Sequence, residues 1–272
     1  MKKQHAILTA IVLALVMVVT VVALAACEKP QTKHAYGLVH GKGYVGQATV
    51  VVAGDSLVSA ELNEACLPTY VTAKKADGKT AEDADGTYLV TGKYLNHGSP
   101  ATATFYKTVK FGDVTMTYDT TDVTSGENTV SKGYMVGTKT MLEYFADAAN
   151  CQKYFEAVAG NSVKVVTANG EKTDIMNAKS LLKTENGYWG TPAANALGWK
   201  ANVEATCKFV VDNGFTATSK DDFKHASDYD SKKDTATSDK MYNEWSVGTV
   251  KTGATWSDIW DYYSLLKTAA GK

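Results

Sequence analysis

An uncharged apolar segment near the start of the chain decides which residues are left to form a globular fold. Lys2, Lys3 and His5 make a short positive head, and the run 6–26 that follows contains no charged residue. A positive head before an apolar run is typical of an export signal, but this run is also long enough to cross a bilayer. On either interpretation, the residues after it must supply the folded core.

The end of this segment favours the export signal over a plain transmembrane anchor. Leu24-Ala25-Ala26-Cys27 is followed at once by polar residues, and it resembles a bacterial lipobox. That resemblance implies a signal peptide over 1–26, cleavage before Cys27, and acyl chains (a diacylglyceryl group and a fatty acid such as palmitate) on that cysteine. Two acyl chains suffice for stable anchoring. We therefore expect a lipidated tether over 27–36 and a protein held at the extracytoplasmic face of the cell membrane.

The charge balance argues against nucleic acid as a partner. The chain has 28 basic and 29 acidic residues, and all of its basic residues are lysine. Without arginine it lacks the planar donors that read base edges and clamp phosphates. The five histidines and four cysteines show no metal-ligand spacing, so no metal site is predicted. Cys66, Cys151 and Cys207 are expected to be small buried apolar residues.

The remaining chain contains two stretches with hairpin character. Residues 47–52 and 57–62 are rich in β-branched side chains and flank Gly54-Asp55, which predicts a β-hairpin. Residues 203–211 and 215–218 flank Asn213-Gly214 in the same manner, and a second hairpin is predicted there. A strand over 161–167 and a short helix over 176–183 are predicted to open the second half.

Two apolar stripes at helical spacing follow the hairpins. The first runs from Met141 to Val158, is preceded by a capping box at Thr140 and stops at Gly160. The second runs from Trp256 to Leu266, with Thr255 and Asp258 as the expected capping box.

We therefore expect an α+β protein made of two small related domains, 37–160 and 161–272, each a twisted antiparallel sheet with packed helices. One domain whose sheet is interrupted by a long insertion is the alternative.

A short motif lies just before the second stripe. Thr252-Gly253-Ala254-Thr255-Trp256-Ser257 resembles the [Ser/Thr]-Gly-Ala-[Ser/Thr]-x-[Ser/Thr] motif of the FMN-binding domain family, although Thr249 stands where that family commonly has an aspartate. Gly43-Tyr44-Val45-Gly46 and the hairpin after it also resemble the opening of that family's domain. The resemblance implies that a flavin transferase attaches FMN to Thr255 through a phosphoester. Thr252, Gly253, Ala254 and Ser257 would be the surrounding recognition residues.

Three further expectations concern the flavin. A phosphoester at the start of the second helix would meet unpaired backbone N–H groups and the positive end of the helix dipole, which requires no arginine. Nearby aromatic rings are candidates to stack on the isoalloxazine: Trp245, Trp256, Trp260, Tyr242, Tyr262 and Tyr263. When Thr140 is aligned with Thr255, the first half lacks the Gly-Ala pair, so one covalent flavin is predicted rather than two.

The resemblance implies an electron carrier more than a substrate-specific enzyme, and no catalytic residue is assigned. A membrane quinone-linked dehydrogenase or another redox protein would exchange electrons with it. The alternative is a non-redox surface lipoprotein that binds a ligand or partner with the same fold, and a structural or adhesive surface domain is a third interpretation.

Overall fold

A computed structural model describes residues 29–70, 89–96, 98–167, 169–172, 178–186, 197–225 and 244–272. The predicted export signal, the predicted lipidation residue Cys27, and Tyr242 lie outside these ranges. In the described ranges, no helix has the length and apolarity needed to cross a membrane.

The described residues form mostly antiparallel strands with a smaller number of helices. The strands are β1 (Gln31–Val39), β2 (Tyr44–Ala53), β3 (Ser56–Cys66), β4 (Leu89–Asn96), β5 (Ser99–Tyr106), β6 (Thr108–Phe111), β7 (Val114–Ser125), β8 (Asn128–Val136), β9 (Lys139–Thr140), β10 (Val163–Thr167), β11 (Gly170–Lys172), β12 (Phe223–His225), β13 (Trp245–Val247) and β14 (Val250–Lys251). The α-helices are α1 (Met141–Phe145), α2 (Ala148–Ala159), α3 (Lys183–Asn186), α4 (Trp199–Asn213) and α5 (Ile259–Ala270).

The strands form four antiparallel sheets. Their orders are β1-β2-β3, β11-β10-β6-β7-β8-β9, β12-β13-β14 and β4-β5. The predicted α+β class is confirmed.

The first predicted hairpin is confirmed as β2 and β3. Along β2, fully buried and partly buried side chains alternate from Gly46 to Ala53, as expected of a strand with one face on the core. The turn residue Gly54 has a φ of 59°, which glycine adopts without steric cost.

The first helical stripe forms two helices instead of one. Thr140 caps α1 as predicted: its hydroxyl accepts from the Glu143 amide, and the Glu143 carboxylate accepts from the Thr140 amide. The helix then stops, and Asp147 caps α2 by accepting from the Ala149 amide. The break occurs because Asp147 satisfies the first amides of a new helix rather than continuing the old one. Gly160 ends α2, as expected.

The second predicted hairpin, over 203–218, is wrong. Residues 199–213 form the helix α4, and Gly214 (φ 69°) follows its end rather than making a hairpin turn. Val203, Cys207 and Val210 are spaced four and three apart, so the same apolar residues fit a helix face as well as a strand.

The strand predicted over 161–167 is confirmed as β10, and the region predicted as a short helix contains a 3-10 turn (Ala178–Leu181) followed by α3.

Packing joins the two halves of the chain. β10 pairs with β6, with Val163 opposite Phe111. The last helix, α5, packs against β1 and β2. The Leu265 side chain lies so close to both strands that a Cβ would be 3.4 Å from it at Gly37 and only 2.9 Å from it at Gly46. The buried apolar side chains of both halves belong to one hydrophobic cluster. The division into domains at 160/161 stays a prediction, and these contacts cross it.

Candidate functional site

The motif predicted to hold a flavin forms a tight loop between β14 and α5. The Thr252 amide donates to the Trp245 carbonyl, and the Trp245 amide donates to the Ala254 carbonyl, each at 2.9 Å. The Thr252 hydroxyl donates to the Trp245 carbonyl at 2.8 Å and accepts from the Ala254 amide at 3.1 Å. The loop is therefore folded back on β13, and Thr252 and Ala254 are buried. Ser257 lies outside this arrangement on the exposed surface.

A buried carboxylate holds the glycine of the motif. Glu244 is 5% exposed; its Oε1 accepts from the Gly253 amide at 2.8 Å, and its Oε2 lies 3.4 Å from the Lys251 ammonium. Gly253 has a φ of 74°, and a Cβ there would be 3.3 Å from the Cβ of Ala205 on α4. Both the backbone angle and the close approach to α4 favour glycine at this position.

Thr255 does not cap the last helix, which corrects the expected capping box. The helix α5 begins only at Ile259, and no side-chain hydrogen bond caps it at Asp258. Thr255 is 6% exposed and faces α4 instead. Its hydroxyl accepts from the Leu197 amide at 2.9 Å, and its amide donates to Oδ1 of Asn202 at 2.7 Å. These contacts take the hydroxyl away from the start of α5.

The helix end that Thr255 meets is the start of α4. Gly198 is the N-cap of α4 and makes no side-chain cap. Asn202 is 2% exposed, and its amide nitrogen donates to the carbonyls of Leu197 at 2.8 Å and Gly198 at 3.3 Å. Asn202 thus bridges Thr255 to the first residues of α4. Thr255 therefore lies beside the N-terminal end of α4, where backbone amides lack partners within the helix, and an anion held at Thr255 would be near that end and not the start of α5.

Aromatic rings surround the loop, as the sequence predicts, and several are stacked on one another. Trp256 lies parallel to Tyr262, with ring centroids 3.9 Å apart and planes 3° apart. Trp245 stacks on His225 at 4.0 Å, and its Nε1 donates to the Trp256 carbonyl at 2.7 Å. Trp256 and Trp245 are both half-buried, and in each case the partner ring covers one face.

A buried polar cluster beside this loop was missed by sequence reasoning. Lys183 and Glu64 form an ion pair in which both side chains are fully buried. Oε2 of Glu64 accepts from the Tyr262 hydroxyl at 2.6 Å, and Oε1 lies 3.5 Å from Nδ1 of His40. That same nitrogen lies 3.1 Å from the Lys183 ammonium and 3.2 Å from the Tyr262 oxygen.

The surroundings of this cluster keep its charges balanced. The Lys183 ammonium lies 4.4 Å from the centroid of the Tyr44 ring and 5.7 Å from that of Trp199. Burial alone would raise the pKa of the Glu64 carboxyl, but the hydrogen bond with His40 and the charge of Lys183 outweigh it and hold that pKa below its ordinary value. In the sequence, the one signal is that Glu64 and Lys183 each adjoin a short apolar run.

A cavity lies between α4 and β3. Its volume is about 550 Å³, and it is bounded by β3, α3 and α4. Ala60, Leu62, Trp199, Val203 and Cys207 supply its apolar walls. Cys207 is a free buried thiol, as are Cys66 and Cys151, and burial raises the pKa of each to about 12. The three cysteines are buried, as the sequence predicts.

Comparison of the chain with protein-family models, curated proteins and solved structures found no match. The resemblance to the FMN-binding domain family therefore depends on the sequence alone, on the Thr252–Ser257 motif and on Gly43-Tyr44-Val45-Gly46.

Proposed function

We propose that this protein is an extracytoplasmic lipoprotein that carries one FMN, joined through its phosphate to Thr255, and acts as an electron carrier. The observation that supports it best is the meeting of the Thr255 hydroxyl with the start of α4. The Leu197 amide already donates to that hydroxyl, and the N-cap residue of the helix is Gly198, which makes no side-chain cap. Backbone N–H groups at a helix start hold phosphate without an arginine.

The residues present fit a phosphate in their hydrogen-bonding chemistry. The Leu197 amide and the first turn of α4 are donors, and Asn202 fixes the Thr255 backbone. In space they fit only once the start of α4 has moved, because Thr255 is 6% exposed and is bonded to both Leu197 and Asn202. Attachment therefore requires the start of α4 to separate from the motif loop, and the flavin transferase would act on that opened form.

Bound FMN would supply one- and two-electron chemistry. The chain would contribute the covalent link at Thr255, the buried turn that orients it, and the aromatic side chains of Trp245 and Trp256 beside it. A membrane quinone-linked dehydrogenase or another redox protein is the proposed source or acceptor of electrons.

Co-expression with a flavin transferase tests the covalent link. After denaturation and removal of free flavin, the wild-type chain is expected to retain the mass and fluorescence of one FMN, and Thr255→Ala is expected to retain none. Thr140→Ala is the matched control, because Thr140 aligns with Thr255 in the first half, and it should keep the full amount. Flavin on Thr255→Ala, or none on the wild type, contradicts the proposal.

The lipid anchor is tested separately at Cys27. Cys27→Ser should abolish acyl labelling and leave the precursor uncleaved. Normal labelling with an unchanged membrane fraction would contradict lipidation at this residue.

A second candidate is the non-redox lipoprotein that binds a ligand. Burial of the Thr255 hydroxyl and the apolar cavity beside α4 favour it. Native mass spectrometry of the purified chain distinguishes the two, because a flavin carrier keeps its mass increment after denaturation, whereas a ligand held in the cavity is lost.

A further inference from the structure

Tyr262 lies between the motif loop and the buried ion pair. One part of its side chain, the ring, stacks in parallel on Trp256 with centroids 3.9 Å apart. The other part, the hydroxyl, donates to Glu64 at 2.6 Å. The side chain is 1% exposed, so both contacts form in the core.

The acceptor of that hydroxyl is itself held in place. Glu64 is fully buried, and its carboxylate is paired with Lys183 and lies near His40. Lys183 is enclosed by the rings of Tyr44 and Trp199. Since a buried carboxylate with these partners has no low-energy alternative position, it fixes where the Tyr262 hydroxyl, and hence its ring, must lie.

The stacked partner of Tyr262 belongs to the motif loop. The Trp256 carbonyl accepts from Nε1 of Trp245 at 2.7 Å, so both the ring and the backbone of Trp256 are held. Thr255 is the preceding residue. The contacts therefore run without a gap from the ion pair, through Tyr262 and Trp256, to the residue proposed to carry the flavin.

We infer that Tyr262 is a positioning residue: anchored by the Glu64–Lys183 pair, it holds Trp256 and thereby keeps the Thr252–Thr255 loop folded, so that the motif stays ordered when the start of α4 separates from it. The role of Tyr262 in ordering the loop is independent of the flavin, whereas its effect on flavin attachment rests on the proposed function.

Tyr263 provides a matched control on the same helix. It is fully buried, and its hydroxyl accepts from the Ala217 amide at 2.8 Å, but it contacts neither the ion pair nor Trp256 in the described contacts. Tyr262→Phe and Tyr263→Phe each remove one buried hydroxyl and keep the ring. Tyr262→Leu and Tyr263→Leu also remove the ring.

Amide hydrogen exchange of the unflavinylated chain is the primary measurement. The amides of Thr252 and Gly253 donate to the Trp245 carbonyl and to the Glu244 carboxylate, and they therefore report opening of the loop. In Tyr262→Phe they should exchange about tenfold faster or more, the factor expected when a hydrogen bond to a charged acceptor is lost. Tyr262→Leu should raise their exchange further, and neither Tyr263 variant should raise it above the change seen in the rest of the chain. Equal loop exchange in Tyr262→Phe and Tyr263→Phe overturns the inference.

Flavin attachment is the second measurement. With the transferase co-expressed, the fraction of chains carrying FMN should be several-fold lower in Tyr262→Phe than in Tyr263→Phe at matched unfolding temperature. Equal fractions would overturn the effect of Tyr262 on attachment. If the wild type carries no flavin, the proposed function fails, and the exchange rates still decide whether Tyr262 orders the loop.

Discussion

Lys183→Met removes the cation from the buried ion pair while keeping a side chain of similar length against Tyr44 and Trp199. Glu64 is then left as an uncompensated charge in the core, which typically costs about 3–5 kcal/mol. The Tyr262 hydroxyl and His40 still lie near the carboxylate, so we expect the lower end, about 3 kcal/mol. For a chain of this size that corresponds to a fall in melting temperature of about 6–12 °C.

Urea unfolding followed by circular dichroism measures this loss. The control is Lys208→Met on α4. The ion pair of Lys208 with Asp212 is exposed and should contribute less than about 0.5 kcal/mol to the unfolding free energy. Adding Glu64→Gln to Lys183→Met removes the lone charge and keeps an acceptor for Tyr262, so the double variant should be more stable than Lys183→Met alone. Equal unfolding free energies of Lys183→Met and Lys208→Met would contradict this prediction. So would losses of unfolding free energy in Lys183→Met and Glu64→Gln that add up in the double variant.

Three other predictions follow from single contacts. Because the pKa of Glu64 is held below its unfolded value, its stabilising contribution is complete above about pH 5 and is lost as the pH falls through the folded pKa. The difference in unfolding free energy between wild type and Glu64→Gln should therefore be constant above about pH 5 and shrink as the pH is lowered further. Gly92→Ala should destabilise by about 1–3 kcal/mol in thermal unfolding, since the new Cβ would lie 2.4 Å from the Tyr118 ring. Asn202→Leu leaves the buried Thr255 amide without its acceptor and should cost about 1–3 kcal/mol in urea unfolding, with faster exchange of that amide; an unchanged exchange rate would contradict the bridge.

Local patterns in the sequence were enough where neighbours along the chain decide the structure. The β2–β3 hairpin follows from β-branched runs around a Gly-Asp turn, and the Thr140 cap follows from the Glu three residues later. In both cases the hydrogen-bonding partners lie close together in the sequence, so the pattern contains the information that is needed.

The predictions for residues 203–218 and for Thr255 failed because contacts with segments distant in the sequence determine their structure. The spacing of Val203, Cys207 and Val210 fits a helix face as well as a strand, and contacts between this segment and β3 favour the helix. Thr255 stands in the sequence where an N-cap residue is expected. In the fold, however, its amide donates to Asn202 and its hydroxyl accepts from the Leu197 amide. The motif was correctly placed before the last helix, but the loop that it forms and the helix end that this loop meets depend on tertiary contacts.

The ion pair of Glu64 and Lys183 also depends on tertiary contacts and could not be predicted from local sequence patterns. The two residues are far apart in sequence, and no spacing relates them. A charged residue beside an apolar run is usually the exposed end of an element, so burial of both could not be expected without the fold.

The packing of α5 on β1 and β2 affects how the chain can fold. The β1–β2–β3 sheet has short loops and can form its backbone hydrogen bonds early, but the face occupied by Leu265 stays open until residues 259–270 arrive. Such long-range closure slows folding and leaves an apolar sheet face exposed meanwhile. We therefore expect a slow final folding step in which α5 docks. Until then, chaperones would have to shield the exposed sheet face while the chain is being made.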